Sequence, residues 1–165
     1  MAGCSTARGN RSGCEWEYDR LQAVTMTETG AMERDDEFVQ AFEAQTLPKE
    51  FFTHAGHVRA AWWYLTHYPL GDAMDRFRSA LQAYAASLGA SGKYHETMTV
   101  AWLLLIAERL DDSTRLLTWR EFADRFPELF ERQALLARYY SDEVLRSERA
   151  RRTFVMPDRA ADTTG

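Results

Sequence analysis

The chain has 165 residues, a length that suits one domain with one substantial hydrophobic core. Its residues are 45% hydrophobic, 13% aromatic and 27% charged, which excludes the composition of an intrinsically disordered chain. The net charge of -5 excludes a general attraction for nucleic acid or anionic lipid, because those partners require a basic face. We therefore expect a single folded domain that binds neither nucleic acid nor a membrane.

The first 33 residues show no sustained periodicity and are interpreted as a flexible leader. This segment contains Cys4 and Cys14, the two cysteines of the chain, so the core has no thiols for a disulfide framework or a thiolate metal site. A cytoplasmic location is therefore expected. The segment lacks the apolar stretch of a signal peptide, and the longest apolar run of the chain is too short to span a bilayer.

Residues 34–157 carry helical patterns and are predicted to form the folded domain, followed by a frayed tail over residues 158–165. The fourth pattern is apolar nearly all round from Met98 to Ala107, which is typical of a central helix. Strand-like alternation and Gly-rich phosphate loops are absent from the sequence, so we predict an all-α, single-domain bundle of five to seven helices. In chain order, the helices are predicted over residues 35–47, 50–67, 72–88, 94–110, 118–126 and 128–139, and from residue 141 onward.

Glu50, His54 and His57 lie at i, i+4 and i+7 of the second predicted helix, which places three potential ligands or proton carriers on one face. His95 lies in line with apolar residues of the predicted central helix, so it is also expected to point inward. Neutral imidazoles bind zinc, iron, nickel or copper, and catalytic zinc sites use three protein ligands and an open position. The pattern predicts His54, His57 and His95 as metal ligands or catalytic groups, with Glu50 or Glu96 as a fourth ligand or a base.

Two other interpretations of the histidines remain open. They suit metal-free acid/base catalysis or ligand binding, and inward histidines are also common as hydrogen-bonded core residues. The candidate substrate-binding residues are Arg59, Trp62, Thr99 and Trp102, which lie near the histidines in the predicted helices. Core packing of the aromatic rings and a stem-buried arginine are the alternatives for these positions.

Two segments, FTHAGHVRAAWWYL over residues 52–65 and KYHETMTVAW over residues 93–102, resemble paired motifs of small, largely uncharacterised bacterial helical proteins. The resemblance covers roughly residues 50–105 and implies no established reaction. The predicted architecture is also similar, more loosely, to three-histidine metal bundles of the DinB type. The histidine placement of those bundles is not matched residue by residue.

These observations predict a small cytoplasmic helical-bundle enzyme that acts on a small molecule, with His54, His57 and His95 as metal ligands or acid/base groups. With a divalent metal such as zinc, iron or nickel, activated-water chemistry is expected. The alternative is a non-catalytic bundle with structural histidines that binds a small molecule or a partner helix. The sequence leaves the reaction, the metal and a homo-oligomeric state open.

Overall fold

A computed structural model of the protein describes residues 34–159, which contain eight α-helices and no β-strand. Five of these helices have seven or more residues, and the predicted all-α class is confirmed. The predicted leader lies outside the described residues, as do residues 160–165 of the predicted tail. The helices are α1 (Asp35–Glu43), α2 (His54–His67), α3 (Leu70–Ser87), α4 (Glu96–Ala107), α5 (Trp119–Arg125), α6 (Arg132–Ala137), α7 (Asp142–Arg146) and α8 (Glu148–Arg152).

Helices α2 and α4 form the centre of the bundle. α2 packs against α1, α3 and α4, while α4 also packs against α3 and α8. The fully buried Tyr64 and Leu65 of α2 share one core with Leu103 and Ile106 of α4. This placement agrees with the central apolar helix predicted from the sequence, because a helix contacted on several sides must be apolar around most of its circumference. Every helix within residues 34–159 falls short of the length or apolar character that crossing a bilayer demands.

The start of α2 differs from the prediction. A 3₁₀ turn (Lys49–Phe51) precedes the helix, which begins only at His54. A Cβ at Gly56 would lie 2.4 Å from the carbonyl oxygen of the last residue of this turn, so glycine permits the close packing of turn and helix. Glu50 therefore lies in the turn, and the prediction that it shares one helical face with the histidines is wrong.

The predicted final helix is divided in two at Ser147. The Ser147 hydroxyl accepts a hydrogen bond from the Ala150 N–H (3.1 Å) and donates one to the Val144 carbonyl (2.7 Å). Its backbone is extended, with ψ at 144°, as in an N-cap residue. Because Ser147 both ends α7 and caps α8, the chain bends between two five-residue helices.

Residues 153–159, which we call the C-terminal strap, return to the beginning of α4. The fully buried Thr97 hydroxyl donates to the carbonyl of the first strap residue (2.9 Å) and accepts from the Val155 N–H (3.0 Å). Further along, Asp158 accepts a hydrogen bond from the Ser141 N–H (2.8 Å). The first turn of α4 is thus bonded to the last described part of the chain.

Candidate functional site

His54 and His57 lie on the first two turns of α2, and each donates a ring hydrogen to a backbone carbonyl. The Nε2 of His54 lies 2.9 Å from the Leu129 oxygen, and the Nδ1 of His57 lies 2.7 Å from the Thr53 oxygen. Because a carbonyl oxygen only accepts, these bonds assign the ring tautomers. The acceptor nitrogens that remain, Nδ1 of His54 and Nε2 of His57, have no hydrogen-bond partner within residues 34–159.

Both rings are neutral at physiological pH. Burial lowers the pKa of His54 to about 4, although its bond to the Leu129 carbonyl partly opposes this shift, and the nearby charges of His57 and Arg132 lower it further. Burial and the charge of Arg132 likewise lower the pKa of His57 to about 4. Both side chains nevertheless keep a partly exposed surface. The pair therefore consists of two neutral imidazoles on partly exposed residues.

Aromatic rings flank this histidine pair. The Phe52 ring lies 4.0 Å from the His57 ring, and the Trp102 ring of α4 lies 4.6 Å from the His54 ring, which it meets edge-on at 62°. These contacts restrict both imidazoles and provide apolar surface beside the two rings. Trp102, one of the two tryptophans expected at the site, is therefore adjacent to His54.

His95 occupies a different position from the pair. It is the N-cap residue of α4, where its Nδ1 accepts from the Met98 N–H (3.3 Å) and its Nε2 donates to the Leu145 carbonyl (2.8 Å). Both ring nitrogens are therefore used to hold the protein together. Trp102 lies seven positions after His95, which is about 10 Å along a helix axis. His54, which contacts Trp102, therefore meets α4 about two turns away from His95.

The predicted metal set is not found. Within residues 34–159, no three histidine, cysteine, aspartate or glutamate side chains are placed to hold a metal ion. Glu50 is exposed in its 3₁₀ turn, and both nitrogens of His95 are engaged, so neither joins His54 and His57 as a ligand. The geometry gives the predicted zinc, iron or nickel site no support.

Glu96, predicted as a base, is held in an ion pair. It is bonded to Arg78 of α3 and accepts a hydrogen bond from the Tyr94 hydroxyl (2.6 Å). Its side chain is buried by these partners at the α3–α4 contact. The geometry favours a structural role for this carboxylate.

Three candidate substrate-binding residues have partners within the protein. The buried Arg59 guanidinium bonds to the Asp35 carboxylate (2.6 Å) and lies over an aromatic ring of α1. Trp62 packs against the aromatic rings of α5, and its Nε1 has no hydrogen-bond partner among the described residues. The Thr99 hydroxyl donates to the His95 carbonyl in its own helix (2.9 Å). None of the three is placed beside the free histidine nitrogens by these contacts.

Two open grooves on the surface lie apart from the histidine pair. One, of about 540 Å³, is bordered mainly by α3, and the other, of about 400 Å³, lies where α3 meets α8. Neither groove is lined by His54 or His57. These two grooves are therefore separate from the candidate site at the histidine pair.

Arg132, the first residue of α6, is the residue that the sequence did not indicate. It is exposed, and its charge acts on both His54 and His57. The two segments meet only through tertiary packing, since Arg132 lies 75 residues from His57 in the chain and no periodic pattern connects them. A spacing rule based on one helix could not have found it.

Comparisons with known proteins give no family assignment. No family model matches the chain, and no curated protein or solved structure is similar enough to match it. The candidate site is therefore defined by the geometry of this chain alone.

Proposed function

We propose that the protein is a small helical-bundle enzyme that binds a small molecule at His54 and His57 and uses their free ring nitrogens as proton acceptors, without a metal. The observation that carries this proposal is the pair of neutral, partly exposed imidazoles with tautomers fixed by backbone carbonyls. A fixed tautomer leaves one ring nitrogen with an unbonded lone pair, which is what a histidine base requires. The cytoplasmic location expected from the cysteine content belongs to this proposal.

The low pKa of the pair sets how such a base works. At a pKa of about 4, each imidazole is almost entirely in its acceptor form at pH 7, but it is a weak base. Its basicity increases when a bound substrate places negative charge near the ring, because that charge stabilises the imidazolium. The substrate itself thus completes the base.

Mass spectrometry of a bacterial metabolite extract tests the proposal. The extract is incubated with wild-type protein, with His54→Gln/His57→Gln and with His67→Gln, which changes an exposed histidine at the other end of α2. We expect one metabolite to be converted by wild type and His67→Gln, with conversion at least about 100-fold slower in the double variant. Conversion should persist in excess chelator.

Conversion that continues in the double variant would refute the assignment of these histidines. Conversion that stops on adding chelator and returns with a divalent metal would refute the metal-free mechanism. Absence of conversion would refute enzymatic activity toward the metabolites present.

A non-catalytic binding bundle is the second candidate function. It is favoured by the internal bonds of His95, Glu96 and Arg59, because three of the predicted site residues use their polar groups to hold the fold together. This function predicts that a metabolite is retained by wild type and released unchanged. The same incubation therefore separates the two candidates.

A further inference from the structure

We propose that the histidine pair binds a small carboxylic acid, with Arg132 holding the carboxylate and a free ring nitrogen of His54 or His57 accepting a hydrogen bond from the same molecule. This inference rests on the proposed function and adds the substrate class.

Arg132 lies directly after the segment that contacts His54. The 3₁₀ turn Pro127–Phe130 packs against α2, and its Leu129 carbonyl accepts the His54 ring hydrogen. Arg132 follows three residues later, at the start of α6. Its guanidinium has no ion pair or hydrogen bond within residues 34–159, so its donors are available to a ligand.

The charges around the pair favour an anion. Of the nearby acidic residues, Glu128 is bonded to Arg109 (2.8 Å). Glu50 is exposed on the turn before α2, and its charge raises the pKa of Tyr84. Glu131 lies in the link before α6. The positive charge of Arg132 acts on both neutral rings, and a positive charge there attracts an anion and repels a metal cation.

The surrounding groups narrow the ligand class. A single guanidinium matches the charge and forked geometry of one carboxylate, whereas a phosphate dianion normally requires more than one cation. Two imidazole nitrogens that only accept require a hydroxyl or amino hydrogen on the ligand. Phe52 and Trp102 provide apolar surface for a hydrocarbon part. A hydroxy acid with an apolar substituent combines these features.

Mandelate is a suitable probe because it carries a carboxylate, a hydroxyl group and an aromatic ring, while mandelamide is its uncharged counterpart. The full chain, labelled with ¹⁵N in its histidines, is titrated with each compound while the ring nitrogen resonances are recorded. We expect mandelate to shift the resonances of His54 and His57 and to raise the pKa of His57. Arg132→Gln should weaken this binding about tenfold.

Arg138→Gln is the matched control, because Arg138 is an exposed arginine at the other end of α6, and it should bind mandelate like wild type. Equal binding of mandelamide, equal binding by Arg132→Gln, or no shift with mandelate would each overturn the proposal. These outcomes are independent of catalysis. If Arg132→Gln binds normally while His54→Gln/His57→Gln abolishes metabolite conversion, the substrate class is wrong and the proposed function stands.

Discussion

Lowering the pH from 7 to 5 should destabilise the protein through His54 and His57. Burial disfavours the charged form of both rings, so the unfolded chain takes up protons near pH 6.5, whereas the folded protein does so only near pH 4. The contribution of the neutral rings is therefore complete above about pH 6.5 and is lost progressively as the pH falls toward 4. The sign of the effect is opposite to that of a salt-bridged histidine.

The magnitude follows from the two pKa values of each ring. A histidine that titrates at 6.5 unfolded and at about 4 folded lowers the free energy of unfolding by about 2 kcal/mol between pH 7 and pH 5. Because both rings are partly exposed and their charges interact, we expect a loss of about 3 kcal/mol for the pair, less than the simple sum. This is a large fraction of the stability of a typical domain.

Urea unfolding followed by tryptophan fluorescence measures this loss. The free energy of unfolding is extrapolated to zero denaturant at pH 7 and at pH 5 for wild type, His54→Gln/His57→Gln and the control His67→Gln. Dilute protein is used because pH 5 lies near the isoelectric point of about 5.4, where the low net charge promotes association. Hydrogen bonds lower the pKa of the surface carboxyls Asp111, Glu121 and Asp158, so their contributions are mostly lost at still lower pH.

We expect wild type and His67→Gln to lose about 3 kcal/mol on acidification and the double variant to lose less than about 1 kcal/mol. The comparison concerns the change with pH, so a general destabilisation by the double substitution does not affect it. If the double variant loses as much as wild type between the two pH values, the rings are not held neutral by the fold. The basis of the proposed site would then fail.

Three further predictions concern packing and hydrogen bonding within the bundle. Gly56→Ala should lower the melting temperature and reduce the free energy of unfolding by about 2–4 kcal/mol, because its Cβ meets a backbone oxygen. Gly71→Ala, whose Cβ meets open space, should reduce it by less than about 1 kcal/mol. Equal melting temperatures of the two variants would contradict this. Arg59→Gln should reduce the free energy of unfolding by about 2 kcal/mol. A double-mutant cycle with Asp35→Asn, measured by chemical denaturation, should give a coupling energy of about 1–2 kcal/mol, and additive effects would contradict this ion pair. Thr97→Val should reduce the free energy of unfolding by about 1–3 kcal/mol, since the Thr153 carbonyl and the Val155 amide lose their partner. It should also speed hydrogen exchange of the Val155 amide, and unchanged exchange would argue against the bond from this amide to Thr97.

Local sequence signals predicted the elements whose ends are set locally. α3 is followed by Gly89, which has φ at 65° as is common after a helix, and α5 begins with a capping box of Thr118 and Glu121, near the start of the helix predicted over residues 118–126. The start of α2 was missed because the close contact between Gly56 and the preceding turn is a tertiary feature. Periodicity counts apolar positions and does not register such a contact.

The candidate site was only partly predictable for the same reason. His54 and His57 are neighbours on one helix, so their proximity follows from a spacing of three residues. His95 was expected to face inward beside them, but its ring caps α4 and bonds to α7, a role that aspartate, asparagine, serine and threonine fill more often. Arg132 reaches the pair through the packing of distant segments, which depends on the whole fold.

The hydrogen bonds at the beginning of α4 also determine when this part of the fold can form during synthesis. The ring of His95 bonds to a carbonyl 50 residues later, and the hydroxyl of Thr97 bonds to an amide 58 residues later. A chain that grows from its amino end therefore makes its most apolar helix long before the partners of that helix's first turn exist. Until the strap has left the ribosome, the amino end of α4 remains open, and a nascent chain halted before Val155 should expose apolar surface that the finished protein buries.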